Sequence, residues 1–275
     1  MNSTFKENLY KGLYQEIEIK KMIINKRSKF QKIEIFDTFT YGRVLALDGI
    51  VQITEKDESA YSEMLVHPAM QSLSKNAERI LIVGGGDGAV AEEVLKYTYI
   101  KNIDLVDIDK EVVELSKKYF KKINNYSLIN KKLNIFYEDF FNFIDNSKCL
   151  YDLVIADRPD PIGAAKSLYK SNFYKKIRNI MSKNSLAIFQ SGVPFLQKKE
   201  LKEVTRDIKK YFKYSGFFLT VVPSYIGGYM ALVWASNNNN LLKTKNNSSN
   251  SNIKTTYFNK DIMQASFAIP NFIKD

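Results

Sequence analysis

The sequence predicts an α/β protein: a parallel sheet covered by helices on both faces, preceded by a small N-terminal antiparallel β-sheet. Three observations carry this. Short β-rich runs separated by turn residues fill the start of the chain. From Glu58 onward, apolar runs alternate with helix-like stretches. The run Arg79-Ile80-Leu81-Ile82-Val83 leads directly into Gly84-Gly85-Gly86-Asp87-Gly88, a strand followed by a glycine turn.

In the first part, Gln15 to Ile24, Phe30 to Phe36, Arg43 to Leu47 and Ile50 to Ile53 read as strands. Asn25-Lys26-Arg27-Ser28, Thr40-Tyr41-Gly42 and Asp48-Gly49 separate them, and Asp-Gly between two apolar runs is a hairpin signal. Residues 1–56 are therefore expected to form a β-strand domain and 57–275 the α/β domain. Tyr61, Met64, Leu65 and Ala69 suggest a helix before the glycine turn. After it, a helix carries Val90, Val94 and Leu95 on one face. Ile103 to Asp107 is a second buried-type strand, and Lys110 to Phe120 a helix. Leu133 to Tyr137, Phe140 to Ile144, Leu153 to Ala156, Leu168 to Ile180, Leu186 to Phe189 and Lys198 to Phe212 continue the alternation. Phe217 to Val222 and Tyr229 to Ala235 suit antiparallel edge strands. Residues 237–251 are rich in Asn, Ser and Lys and read as a surface loop or disordered insertion.

A length of 275 residues suits one main domain plus a small module, and 45% hydrophobic content supplies a core. The single cysteine, Cys149, rules out an internal disulfide and fits a reducing compartment. No apolar run reaches the length of a membrane span, and Met1 to Glu7 lacks a signal-peptide stretch. The expectation is a cytoplasmic protein with no membrane partner. The net charge is +11, but the lysines are scattered and no aromatic-basic motif accompanies them, so no nucleic-acid partner is expected.

Gly84-x-Gly86-x-x-Ala89 fits the loose dinucleotide fingerprint, and Asp107 ends the next strand about 20 residues on, where an acid meets ribose hydroxyls. The same glycines also suit a tight turn without a ligand. The strand, turn, helix and acid together favour a nucleoside. Asp87 inside the turn would repel a pyrophosphate and suits a cationic ligand without phosphate, such as an S-adenosyl sulfonium compound. Asp139 could accept from an adenine amino group and equally suits a helix N-cap before Phe140; the two roles are compatible.

Leu153 to Ala156 runs into Asp157-Arg158-Pro159-Asp160-Pro161-Ile162-Gly163, placing Asp157 and Asp160 past a strand end, in the crevice with Asp87 and Asp107. An ordinary turn and a cap would account for this pair as well. Several acids facing one cleft require a cation. The Asp-rich calcium-loop pattern is absent, and one histidine (His67) and one cysteine cannot make a zinc cluster, so no metal is expected and an organic amine is preferred. His67 in an apolar helix reads as structural.

At these residues the sequence resembles the spermidine synthase family. The matching blocks are Tyr41-Gly42-Arg43-Val44-Leu45-Ala46-Leu47-Asp48-Gly49-Ile50-Val51-Gln52, Thr54-Glu55, Asp57-Glu58, Tyr61-x-Glu63-Met64, Ile82 to Gly88, Val106-Asp107-Ile108-Asp109 and Asp157-x-x-Asp160-Pro161-Ile162-Gly163. The resemblance covers about residues 30 to 235. It implies an N-terminal β-sheet domain on a methyltransferase-like Rossmann domain, usually assembled as a homodimer or homotetramer. It implies aminopropyl transfer from decarboxylated S-adenosylmethionine, a co-substrate, to putrescine, with no cofactor. Gln31, Gly84, Gly86, Asp87, Asp107 and Asp139 would line the nucleoside site. Asp157 would be the general base, helped by Tyr61. Gln52, Tyr61, Asp87, Asp160, Gln190 and Tyr225 would hold the diamine.

The sequence departs from the family pattern at Asp107 (often Glu), Ser62 (His or Gln), Arg158-Pro159 (a small polar pair), Ala164 (Pro) and Phe140 (Gly). Arg158 is expected to point to solvent or to pair with a surface acid, since turned inward it would neutralise the amine pocket. The other readings of the glycine loop are an S-adenosylmethionine-dependent methyltransferase acting on a small amine and a weakened nucleoside- or polyamine-binding homologue.

Overall fold

The computed structural model describes residues 3–238 and 253–274. The insertion expected over 237–251 therefore lies, beyond Asn238, outside the described residues.

Strands β1 (Thr4–Tyr10), β2 (Leu13–Arg27), β3 (Lys32–Thr38), β4 (Arg43–Leu47) and β5 (Ile50–Thr54) form a five-stranded sheet in chain order. All neighbouring pairs are antiparallel. Asp48 and Gly49, between β4 and β5, have φ of 49° and 78°, the left-handed pair that a two-residue hairpin turn requires. Strand β1 was not foreseen. Its buried alternate positions include Phe5 and Glu7, and a glutamate in the inward set breaks the apolar period. One face of the sheet, through Ile33, Ile35, Leu45 and Ile53, packs on Ala89, Val112, Phe120 and Ile123 of the second layer.

The chain continues through α1 (Glu58–Leu73), β6 (Arg79–Gly84), α2 (Ala89–Leu95), β7 (Asn102–Val106), α3 (Lys110–Tyr119), α4 (Lys121–Asn124), β8 (Leu133–Phe136), α5 (Phe140–Asn146) and β9 (Tyr151–Asp157). It then passes α6 (Ser171–Asn179), β10 (Met181–Gln190), α7 (Lys198–Ile208), β11 (Tyr214–Val221), β12 (Tyr229–Ser236), α8 (Lys260–Ser266) and α9 (Asn271–Lys274). The second sheet has the order β11-β12-β10-β9-β6-β7-β8. Its five strands from β10 to β8 are parallel, β12 runs antiparallel to β10, and β11 antiparallel to β12. The Rossmann-like architecture is thus as expected, with β11 at the edge and β12 one place inside it. The single helix expected over Leu168 to Ile180 is instead a 3₁₀ segment, Gly163–Tyr169, and then α6. Lys170 separates them with extended backbone, φ −86° and ψ 153°.

Glu63 on α1 accepts the backbone N–H groups of Thr256, Tyr257 and Phe258 at 2.7, 2.9 and 2.6 Å, fastening the residues before α8 to this helix. His67 is buried, with Nδ1 2.8 Å from the Tyr97 hydroxyl and Nε2 2.9 Å from Glu93; burial pushes its pKa down to about 4. It is a core group, as expected. Among the described residues no helix is long and apolar enough to cross a membrane.

Candidate active site

From β6 the chain steps outward to β7 and β8, then returns to the other side of β6 for β9 and β10. A crevice opens where the order reverses, past the ends of β6 and β9. Gly84 pairs in register with Asp157, so the glycine turn and the first aspartate after β9 are neighbours by construction. Two of the glycines are required by the chain itself. Gly84 has φ +82°, and a Cβ on it would sit 2.0 Å from the Asp157 carbonyl oxygen. A Cβ on Gly86 would sit 2.6 Å from Asp107 Oδ2, which accepts the Gly86 N–H at 3.1 Å. At these two positions the space a side chain would need is taken by the Asp157 backbone and the Asp107 carboxylate.

Every predicted site residue lines one continuous cleft: Gln31, Gln52, Tyr61, Gly84, Gly86, Asp87, Asp107, Asp139, Asp157, Asp160, Gln190 and Tyr225. At the end of the cleft formed by the glycine turn, Asp107 Oδ1 accepts the Asp109 N–H at 2.8 Å. Asp87 Oδ1 accepts the Ala89 N–H at 2.8 Å, and Asp139 caps α5 by accepting the Phe141 N–H at 2.8 Å. Gln31 reaches the cleft from the first sheet because its Nε2 donates to Asp109 Oδ2 at 3.0 Å. Asp109 also takes the Ser28 hydroxyl at 2.6 Å and caps α3.

At the centre, the Tyr61 hydroxyl donates to Asp157 Oδ1 at 2.6 Å. Burial, and then the Asp87 charge, push the Asp157 carboxyl up to about 8, against the lowering effect of the Tyr61 bond. Asp87 is raised by burial, and Asp107 is raised to about 6 by burial, with the Asp109 and Asp87 charges adding to it. Burial and the Asp157 charge hold the Tyr61 and Tyr225 phenols far above their ordinary value. These shifts describe a site that resists holding several negative charges at once and is relieved by a cation.

At the far end, Asp160 Oδ1 accepts from Gln197 Nε2 at 2.8 Å, and burial raises its pKa. Tyr225 donates to the Gln52 carbonyl oxygen at 2.5 Å. Gln190 Oε1 already accepts the Tyr169 hydroxyl at 2.6 Å. Glu7 and Tyr10 of β1 join this end. Glu7 Oε2 accepts the Val51 N–H at 3.1 Å, and burial, with a contribution from the Asp160 charge, pushes Glu7 up to about 7. Sequence reasoning missed Glu7, Tyr10 and Gln197. Asp109 had a readable signal, since it stands immediately before the helix beginning at Lys110 and so at an N-cap.

Arg158 corrects an expectation. It is 2% exposed and, among the described residues, pairs with no acid. Its Nε donates to the Gln190 carbonyl oxygen at 3.2 Å, Nη2 to the Tyr174 hydroxyl at 3.2 Å, and Nη1 to the Leu168 carbonyl oxygen. The guanidinium lies 3.7 Å from the centre of the Tyr169 ring, with Phe173, Tyr174 and Phe189 further out. Aromatic faces and oxygen acceptors hold the cation where solvent would otherwise be needed. Phe140 belongs to the same aromatic group, 4.8 Å from Phe173 between ring centres. Ser62 donates to the Glu58 carboxylate at 2.7 Å. The side chain of Ala164 lies outside the described residues.

Residues 58–246 match the family model described as the spermine/spermidine synthase domain, and residues 4–55 the spermidine synthase tetramerisation domain. The chain is 38% identical over 275 residues to the polyamine aminopropyltransferase of Buchnera aphidicola subsp. Acyrthosiphon pisum (strain Tuc7), covering 98% of this chain and 96% of that one. It is 34% identical over 276 residues to polyamine aminopropyltransferase 1 of Pseudomonas aeruginosa, covering 98% and 96%. Its fold is similar to that of a spermidine synthase crystallised with the transition-state analogue AdoDATO, at TM-score 0.91 and 28% identity over 99% of this chain and 94% of that one. The spermidine synthase of Thermotoga maritima gives TM-score 0.88 and 28% identity, with 99% and 93% covered.

Proposed function

The chain belongs to the spermine/spermidine synthase family, and we propose that this polyamine aminopropyltransferase moves the aminopropyl group of decarboxylated S-adenosylmethionine onto putrescine, giving spermidine and 5′-methylthioadenosine. The observation that carries the reading is the convergence of Asp87, Asp107, Asp157 and Asp160 on one cleft, with Tyr61 donating to Asp157 at 2.6 Å. Such a cleft favours two cationic small molecules and disfavours a donor that retains its carboxylate.

Gln31, Asp87, Asp107 and Asp139, with the backbone of Gly84 and Gly86, hold the donor nucleoside. Gln52, Tyr61, Asp87, Asp160, Gln190 and Tyr225 hold the diamine. Its amines have a pKa of about 10, as in lysine, and arrive protonated. Asp157 takes one proton from the amine facing the sulfonium, and its raised pKa narrows the gap to that amine. The freed nitrogen lone pair bonds to the aminopropyl carbon attached to sulfur. The carbon–sulfur bond breaks, its electron pair stays on sulfur, and a neutral thioether leaves. No general acid is required, and positioning for in-line attack supplies the remaining acceleration. The donor is a co-substrate, so the reaction calls for no cofactor. The match over residues 4–55 supports a homo-oligomer, a dimer or a tetramer. A cytoplasmic location is part of the same proposal.

Release of the thioether nucleoside, measured with the decarboxylated and the ordinary donor, each with and without putrescine, tests the reading. Release is expected only with the decarboxylated donor and putrescine together; use of the ordinary donor would favour methyl transfer. Asp157→Asn is expected to lower kcat by about 10²–10⁴-fold while affinity for 5′-methylthioadenosine holds. Equal losses in both, or none in either, would remove Asp157 from the role of base.

A further inference from the structure

The segment from Pro159 to Tyr169 carries Asp160, Ile162, Gly163, Ala165 and Leu168 to the cleft wall, yet it stands at the surface, with Ile162 48% exposed. Its side-chain ties to the body include Gln197 Nε2 to Asp160 Oδ1 at 2.8 Å and the Tyr169 hydroxyl to Gln190 Oε1 at 2.6 Å. Beneath it lies Arg158. This one guanidinium joins the far end of the segment, at the Leu168 carbonyl oxygen and under the Tyr169 ring, to the end of β10, at the Gln190 carbonyl oxygen. It also reaches α6 through the Tyr174 hydroxyl. Among the described residues no carboxylate pairs with it. A buried cation in that state is costly unless its donors find acceptors, and here two of them hold backbone carbonyls and a third the Tyr174 hydroxyl. Its positive charge lies against ring faces rather than against the acids of the cleft.

We propose that Arg158 is a positioning residue: it fastens the segment 159–169 to the end of β10 and so holds Asp160 at the amine end of the cleft. This rests on the amine reading of that cleft for its kinetic consequence and on the fastening contacts alone for its structural one. Arg158→Met keeps the length of the side chain and removes every donor. Leu168 is left with an unmatched carbonyl oxygen, and the segment opens locally.

Two measurements test this on the full chain. Lys166 and Lys170 are exposed, at and just past the segment. Trypsin cleavage at these two lysines is expected to accelerate about tenfold in Arg158→Met, the size of one buried hydrogen bond lost, with cleavage at other lysines unchanged. In steady-state kinetics KM for putrescine rises about tenfold while kcat changes little, and the acid limb of the pH profile stays in place. Arg158→Lys restores part of both effects. Should Arg158→Met fail to fold, Tyr169→Leu, which strips the ring and the hydroxyl tie, gives the same pattern at smaller size. Unchanged cleavage at Lys166 and Lys170 overturns the proposal. So does cleavage raised evenly along the chain, which marks general destabilisation, or a shifted acid limb, which marks Arg158 as acting on the acids by charge. A wild-type chain that ignores putrescine refutes the acceptor assignment instead, and the trypsin pattern then decides on Arg158 by itself.

Discussion

Replacing Tyr61 by Phe probes the centre of the site with little change of shape. The ring is 8% exposed and lies edge-on to Tyr225, 6.1 Å between centres, and Phe preserves both relations. What disappears is the hydroxyl that donates to Asp157 Oδ1 at 2.6 Å. A hydrogen bond to a charged acceptor contributes about 1.5–3 kcal/mol, and it favours the ionised carboxylate. At about 1.36 kcal/mol per pKa unit, that corresponds to about one to two units. The direction follows from the contributions already described: burial and Asp87 raise Asp157, Tyr61 opposes them, and its loss lets the carboxyl rise further. The acid limb of kcat/KM against pH is therefore expected to move upward by about one to two units. Near neutrality the rate falls about 10–100-fold and recovers in alkali. Initial rates of thioether-nucleoside release across the pH range read this directly. A limb that stays put, or moves to lower pH, refutes the view that Tyr61 stabilises an ionised base.

The raised carboxyls also have a linkage consequence. Asp157 near 8 and Asp107 near 6 keep protons in the ligand-free folded chain that the unfolded chain releases near its ordinary value of about 4, so their contribution to stability falls as pH rises through that window. Filling the cleft with a diamine at neutral pH is expected to expel about one proton, visible as a binding heat that depends on the ionisation heat of the buffer; a buffer-independent heat contradicts this. Glu63→Gln weakens the three N–H contacts that hold residues 256–258, with a cost of about 1.5–3 kcal/mol. Amide exchange at Thr256, Tyr257 and Phe258 should quicken about 10–100-fold, and unchanged exchange would dismiss the clamp. Gly84→Ala drives a methyl group to 2.0 Å from the Asp157 carbonyl oxygen and is expected to cost more than about 4 kcal/mol. Gly163→Ala, with φ +55° and nothing within 4 Å, costs about 1–2 kcal/mol. Equal denaturant midpoints for the two variants would refute the comparison.

Much of this was legible in the sequence because the informative groups sit at forced places. A glycine turn after a buried strand, and aspartates immediately past strand ends, are placed by topology before any side chain is seen, and Asp87, Asp107 and Asp157 meet in the cleft for that reason. What stayed hidden depends on long-range contacts. Glu7 is inward-facing on β1 because it meets Val51 and the cleft, and it erased the very period that marks a strand. Gln197 reaches the cleft beside Asp160, 37 positions earlier, while its Oε1 accepts the Val193 N–H at 2.7 Å. Arg158 was expected outward because an inward guanidinium would neutralise the amine pocket, but Tyr169, Phe173, Tyr174 and Phe189, with the Gln190 and Leu168 carbonyl oxygens and the Tyr174 hydroxyl, hold it buried to one side of the acids. The helix boundary at Lys170 was lost because the residues on either side of it suit a helix equally well.

The register of Gly84 against Asp157 ties the Asp157 carboxylate and the glycine turn to adjacent rungs of one ladder. Their separation is a property of the sheet, fixed at folding by the spacing between neighbouring strands, about 4.8 Å, and no hinge closure is needed to bring them together. The opposite end of the cleft is assembled from a connecting segment and from β1 of the other sheet. On the reaction proposed above, transfer chemistry and acceptor length fall to parts of the molecule that can change separately, so substitutions at Glu7, Tyr10 and Asp160 would alter the accepted amine while leaving the ladder that carries Gly84 and Asp157 intact.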